Sequence, residues 1–320
     1  MNMATIISKR SLSLGLTFIV LILLFTLPVY GTDYNVILLT DILLYVILTL
    51  SWAIFSGPTG YFSLASAAFL GIGMYTSATL GKEFALPIVI AAGGLVSFCL
   101  ALLTGALTLR LRGMYFIMFT FGLSQLVKHL VLFWEAHVTG TIGRFVIIVD
   151  PTTVFYIMLI IFVIALLTAY FIRRSRLGLA LQSIGEDEDA AAHTGINVTL
   201  VKVITFAISA FFMGAAGAIM ATRWTYIDPS IAFNPLYSFM PVLMAIFGGI
   251  GQLYGPVIGA AIFAYLEELL ITKFPYYYML FFGIILVVVV LYLPNGIVGL
   301  IQKLIQRWRR GGPKNKQENS

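Results

Sequence analysis

Residues 173–221 read RRSRLGLALQSIGEDEDAAAHTGINVTLVKVITFAISAFFMGAAGAIMA. A charged, helix-compatible stretch is wedged here between two long apolar runs, 152–172 and 200–222. Acidic residues favour the first turn of a helix, where they face its positive end. Glu186, Asp187, Glu188 and Asp189 therefore read as a helix start, and Ala190, Ala191 and Ala192 propagate it well. Gly195 then closes it in a left-handed cap. Such a helix has about two turns and is too short to hold itself in water. It needs a surface to dock on. The competing reading is a solvated acidic loop. The segment has no catalytic His/Cys arrangement and no phosphate-cradling glycine loop.

Working outward, the whole chain is unusually apolar. Of its 320 residues 60% are hydrophobic and 10% charged, and the mean hydropathy is +1.01. Soluble domains carry about a quarter charged residues. The composition is that of a polytopic membrane protein. The single cysteine, Cys99, sits in an apolar run and reads as a small buried filler; it supports neither a disulfide framework nor a metal cluster. Lys9 and Arg10 precede an apolar run at 12–27, which reads as a retained first span rather than a cleaved leader. The net charge of +6 owes much to Lys303, Arg307, Arg309, Arg310, Lys314 and Lys316. That tail follows an apolar run, so anionic lipid headgroups explain it better than nucleic acid.

A helix needs about 20 apolar residues to cross a bilayer. Candidate runs are 12–30, 36–55, 63–80, 86–109, 114–134, 152–172 and 200–222, then a broken stretch 236–272, then 276–293. With the N-terminus inside, Lys9, Arg10, Arg110, Arg112, Arg173, Arg174, Arg176, Lys202 and the six tail residues fall in the cytoplasm. Only Lys82, Arg144, Arg223 and Lys273 fall outside, a bias that sets the orientation. Parity then requires the broken stretch to cross twice, near 236–249 and 255–272, or to be re-entrant. The expected fold is an all-α transmembrane bundle of about ten crossings (eight if re-entrant). It is one domain over 1–300 with a cytoplasmic loop at 173–199, followed by a basic cytoplasmic tail over 301–320.

Two glycine-rich interruptions stand out, Gly57-Pro58-Thr59-Gly60 and Gly248-Gly249-Ile250-Gly251. Broken helices in two halves mark transport pathways, and small residues also serve close helix packing. Both readings remain open for Gly60, Ser63, Gly71, Gly248 and Gly251, the candidate pathway residues. Asp41, Lys128, Glu267 and Glu268 lie within about two turns of a span end, within snorkelling reach. The scarcity of deeper charges points to an external energy source, because ion-coupled carriers keep ionisable residues in their pathway. The sequence has no G-x-x-x-x-G-K-[ST] motif to hold ATP. His129, His137 and His193 form no zinc motif, and Trp52, Trp134, Trp224 and Trp308 fall where interfacial anchors belong. Nothing asks for a cofactor, a metal or a nucleic acid.

Five motifs in order carry a family resemblance across residues 55–265. They are Gly57-Pro58-x-Gly60-x-x-Ser63-Leu64-x-x-x-Ala68-Phe69-x-Gly71-Ile72-Gly73-x-Tyr75-Thr76, then Leu109-Arg110-Leu111-Arg112-Gly113-x-Tyr115, then Thr139-Gly140-x-x-Gly143. The charged segment at 173–197 follows, and last Phe247-Gly248-Gly249-x-Gly251-x-x-x-Gly255-Pro256-x-x-Gly259-Ala260. Together they resemble the permease subunits of ABC importers for branched-chain amino acids, the LivM-like member of the LivH/LivM pair. Leu179 and Gly185 stand where the family usually has arginine, Met114 where an acidic residue is common, and Ala65-Ser66 where it has Gly-His. The resemblance implies a transport subunit in a bacterial inner membrane, not an enzyme, with both termini cytoplasmic. It implies as partners a homologous LivH-like permease, two ATPase subunits and an extracytoplasmic binding protein. The ATPases would grip the segment bearing Arg176, Gly178, Glu186, Asp187, Glu188, Ala191, Gly195 and Asn197. The implied substrate is leucine, isoleucine or valine. Near alternatives are a ribose-type sugar or urea and short amides; an ion-coupled secondary carrier and a polytopic membrane enzyme are alternatives of other classes.

Overall fold

The computed structural model describes residues 22–28, 30–109, 111–277 and the isolated positions 280, 283, 284, 287, 296 and 299. Lys9, Arg10, Arg110, the basic tail with Trp308, most of the first apolar run and most of the last fall outside the described residues. Residues 22–28 are helical. The long helices that follow are α1 (Asp33–Thr59), α2 (Ser66–Leu80), α3 (Leu86–Thr108), α4 (Met114–Trp134) and α5 (Pro151–Arg174). Two short helices, α6 (Arg176–Glu186) and α7 (Glu188–His193), lead into α8 (Val198–Ala221). The chain continues through α9 (Pro229–Ala232), α10 (Leu236–Gly248) and α11 (Gly255–Lys273). A wider π turn, Glu135–Thr139, prolongs α4. The all-α expectation needs one small amendment. Strands β1 (Arg144–Phe145) and β2 (Tyr226–Ile227) pair antiparallel, Arg144 opposite Ile227.

Seven helical stretches among the described residues are long and apolar enough to cross a membrane. They are α1, α3, α4 with its π turn, α5, α8, the α9–α10 stretch and α11. The protein is a polytopic helical membrane protein, and the expected ten crossings exceed what these residues carry. Two of the missing three fall mostly outside the described residues. The third, expected at 63–80, is α2. Its 15 residues rise about 22 Å, short of the ~30 Å hydrocarbon core.

α2 is an interior helix preceded by irregular backbone, and together they carry the chain from the hairpin side, at Tyr61, to the Glu135 side, at Tyr75. Non-helical backbone survives at membrane depth only when protein satisfies its polar groups. The Trp52 Nε1–H of α1 donates to the Ser63 carbonyl at 2.8 Å. From α4, Thr120 Oγ1 accepts from the Leu64 N–H at 3.0 Å, and the Ser124 hydroxyl donates to the Leu64 carbonyl at 3.1 Å. An apolar run that read as one helix is therefore part buried loop and part buried helix, which share a composition.

The core lies where α8 threads between α2 and α3. Small residues allow their backbones to touch: a Cβ on Gly73 would overlap the Gly214 carbonyl oxygen, and one on Gly217 the Leu70 carbonyl oxygen. Close backbone approach of this kind drives helix association where lipid removes the hydrophobic force. Around that seam pack Phe55, Phe69, Phe116 and Phe206, all buried. Cys99 departs from its reading as a buried filler: it is exposed on α3, on a helix with a lipid-length apolar surface.

Candidate functional site

The charged segment folds as a helical hairpin rather than a loop. Ser175 caps α6 by accepting from the Gly178 N–H, and a Cβ at Gly178 would overlap the Ile172 carbonyl oxygen. Leu181 and Ile184, both buried, pin α6 to the bundle. The acidic run does not share one first turn, as expected from sequence. Glu186 ends α6, and Asp187 breaks the helix in an extended conformation. Its Oδ1 then caps α7 by accepting from the Asp189 and Ala190 N–H groups at 3.0 Å. Only Glu188 and Asp189 occupy the first turn of α7. At the far end Gly195 has φ +89°, the positive value the cap requires. The Ile196 N–H reaches the Ala191 carbonyl and the Gly195 N–H the Ala192 carbonyl, the paired bonds of a Schellman close. Asn197 Oδ1 then accepts from the Leu200 N–H to start α8.

The hairpin has two faces. Arg176, Glu186, Asp187, Gly195 and Asn197 are exposed, as is Leu179 at 63%. Gly178 and Ala191 are buried. Glu188 also turns inward, which sequence reasoning missed by grouping it with the exposed acids. Its Oε1 meets Lys202 Nζ at 2.7 Å, and its Oε2 accepts from the Tyr61 hydroxyl. Lys202, 1% exposed, also donates to the Leu109 carbonyl at 2.9 Å and to Tyr61 Oη at 3.2 Å, and lies over the Tyr61 ring. Arg112 stands at the rim, 3.6 Å from Glu188 and bidentate to Asp189 at 2.7 and 3.2 Å. Burial alone would raise the Glu188 carboxyl. Lys202, Tyr61 and Arg112 outweigh that and hold it below the ordinary carboxylate value. Burial, then the Glu188 hydrogen bond, pushes the Tyr61 phenol up. The Arg112 bonds hold the exposed Asp189 carboxyl down.

The two glycine-rich interruptions meet beside this hairpin. A Cβ at Gly57 would sit 3.5 Å from Ile250 Cγ2, and one at Gly185 of α6 would overlap the Pro58 carbonyl oxygen. Arg173, at the end of α5, donates from Nη2 to the Gly251 carbonyl at 2.7 Å. Between them lies a cavity of about 30 Å³, lined by Ile54, Pro58, Ile172, Leu181, Ile250 and Leu253 among others. That is room for a water molecule.

None of the five candidate pathway residues lines the small cavity beside the hairpin. Gly60 caps α1 with φ +69° and open space around it. Ser63 is buried, its carbonyl taken by Trp52. A Cβ at Gly71 would strike the Phe233 ring, and one at Gly248 the Gly255 carbonyl oxygen. Both are positions of close packing. Gly251 has no neighbour within 4 Å of an added Cβ.

At the opposite end of α1 and α11 the carboxylates read as isolated, snorkelling side chains converge instead. Asp41 pairs with Arg223, and Tyr34 donates to Glu268 at 3.2 Å. Asp41, Glu267 and Glu268, with Tyr45, Tyr237 and Trp224, line a cavity of about 180 Å³. Glu135 is a second residue whose setting the sequence hid. At 0% exposure it accepts from the Gly143 N–H at 2.8 Å and from the Tyr75 hydroxyl at 3.2 Å, with Arg144 Nε 3.6 Å away. The glycines of the Thr139-Gly140-x-x-Gly143 motif were the available signal, since Gly143 turns the chain back onto Glu135 with φ +83°.

A multi-pass bundle whose two broken segments meet beside an ordered polar hairpin is built as a membrane permease. Among the described residues no cluster of His, Cys, Asp or Glu is arranged to hold a metal. The family model described as "Branched-chain amino acid transport system / permease component" matches residues 34–290, and the chain belongs to that family. It is 27% identical over 313 residues to the high-affinity branched-chain amino acid transport system permease protein LivM of Salmonella typhimurium, covering 87% of this chain and 73% of that one. It is 32% identical over 145 residues to the LivH permease of Escherichia coli, 45% of this chain and 46% of that one. The ribose import permease protein RbsC of Haemophilus influenzae is 29% identical over 163 residues, 49% of each. No solved structure matches the chain. Members are permease subunits, not enzymes in themselves.

Proposed function

We propose that this chain is the permease subunit of an ABC importer, carrying leucine, isoleucine or valine across a bacterial inner membrane. The observation that carries this reading is the ordered hairpin α6–α7, which presents an exposed polar face while its other face is fastened to the glycine-broken segment of the bundle. In this reading two ATPase subunits grip the face bearing Arg176, Leu179, Glu186 and Asp187. A homologous LivH-like permease completes the channel, and a binding protein delivers substrate on the other side. In the same reading the exposed Leu179 offers the ATPase an apolar contact. The hairpin and both termini are cytoplasmic, residues 1–300 form one domain and the basic tail meets anionic lipid. The match to LivM spans most of the chain, whereas the ribose relative covers about half, so the amino-acid reading is preferred.

Affinity purification of the tagged chain from cells expressing its neighbouring transport genes tests the assembly. ATPase and second-permease bands should co-purify in stoichiometric amounts; their absence would end this reading. In a Cys99→Ala background, Ser183→Cys should react with impermeant thiol reagent only from the inside and Asp150→Cys only from the outside. Labelling of Ser183→Cys from outside would reverse the orientation.

A further inference from the structure

The two glycine loops are attached to the hairpin very differently. Lys202 has three N–H donors, and each meets an acceptor on a different segment: Glu188 of α7, the Leu109 carbonyl after α3, and Tyr61 after Gly60. No donor remains for water or a ligand. α6 is also seated backbone-to-backbone on the end of α1, because only Gly185 fits against the Pro58 carbonyl. Among the described residues the second loop has no comparable attachment to the hairpin. It reaches the hairpin side through Arg173 and the Gly251 carbonyl, across a water-sized cavity.

We propose that Lys202 is a positioning residue that clamps the hairpin, the Gly57–Tyr61 loop and the start of α8 into one moving body. The transport stroke then opens the seam between that body and the Gly249–Gly251 loop. Gly57 and Ile250 mark the closed seam. The inference rests on the ATPase-docking reading but goes beyond it, since it names which contact holds and which parts. A ligand-binding role for Lys202 is excluded by its saturation; its effect is on coupling.

The test uses the assembled importer in proteoliposomes. Lys202→Met keeps side-chain length but removes the three donors, and leaves the exposed docking face intact. It should retain bound ATPase while the substrate moved per ATP hydrolysed falls at least tenfold. Tyr61→Phe, which keeps the ring and loses only the hydroxyl, should lower the same ratio by a smaller factor; it serves if Lys202→Met fails to insert. Lys202→Arg should recover part of the ratio. A Gly57→Cys/Ile250→Cys pair in a Cys99→Ala background should cross-link readily without nucleotide. Cross-linking should slow severalfold when ATP and vanadate trap the ATPases, and this response should vanish with Lys202→Met. Normal transport per ATP in both Lys202→Met and Tyr61→Phe, or cross-linking indifferent to nucleotide in the otherwise unaltered chain, would overturn the clamp. A wild-type preparation carrying no ATPase would overturn the docking reading itself and the clamp with it, so the two failures are told apart.

Discussion

The two glycine-rich interruptions share a sequence signature and differ in physical state. In the first, Ser63 and Ala65 are buried, and the Ser63 carbonyl and the Leu64 amide and carbonyl are taken by Trp52, Thr120 and Ser124. Residues 249–254 turn at the edge, where Gly251 faces open space and its carbonyl meets one exposed guanidinium. Glycine content alone does not distinguish a packed position, such as Gly248, from an open one, such as Gly251. What distinguishes the two interruptions is how much of the backbone is held by side chains of neighbouring helices, because an unpaired buried group is costly and a paired one resists movement.

That contrast yields a graded series of substitutions. Gly248→Ala should be the most damaging, since the obstacle is the Gly255 backbone and not a side chain that can turn away. Its cost should exceed the ~1–3 kcal/mol typical of overpacking, read as lost membrane expression and a lower unfolding temperature. Gly251→Ala, three residues on, should fall within about 0.5 kcal/mol of the parent. Equal effects of the two would erase the distinction between packed and free glycines.

Trp52→Phe should come next. It strands the buried Ser63 carbonyl, an unsatisfied group worth about 1–3 kcal/mol. Thermal unfolding in detergent should register the loss, and uptake should fall with it. Gly195→Val forces a β-branched residue to positive φ, at about 1–2 kcal/mol. The bundle should tolerate that while ATPase co-purification weakens; unchanged co-purification would return the segment to a solvated loop.

Acid should act on the locked side alone. The Glu188 carboxyl is held below its ordinary value of 4.5 in the folded protein. Its contribution is present above that value and is lost as pH falls through the lowered one. Unfolding temperature should therefore drop on acidification below about pH 4.5, and Glu188→Gln should flatten that part of the profile. An unchanged profile would remove Glu188 from the clamp. Smallest of all, Arg173→Ala should leave stability within about 0.5 kcal/mol of the parent, since it removes one exposed bond.

Much of this architecture was legible because it is local. The apolar runs near 236–249 and 255–272 became α10 and α11 within about a residue, and the Gly195 cap formed where glycine was needed. The rest depended on distant partners. Nothing near Lys202 in the chain reveals that it donates to Leu109, 93 residues away. Glu188 differs from Glu186 only in the direction it faces, which the break at Asp187 decides. Asp41, Glu267 and Glu268 looked like independent end-of-span charges until α1 and α11 packed side by side. Helix α2 is shorter than the apolar run because side chains of α1 and α4 hold residues 63 and 64 as irregular backbone, a boundary that composition does not set.

In the function proposed above, a separate ATPase drives this chain through the hairpin. Leucine uptake into proteoliposomes, measured with the chain, its partner permease, ATPases and binding protein added in turn, tests it most directly. Uptake is expected only when all are present with internal ATP, and none from an ion gradient. Sustained uptake by this chain alone, driven by a proton or sodium gradient, would contradict it.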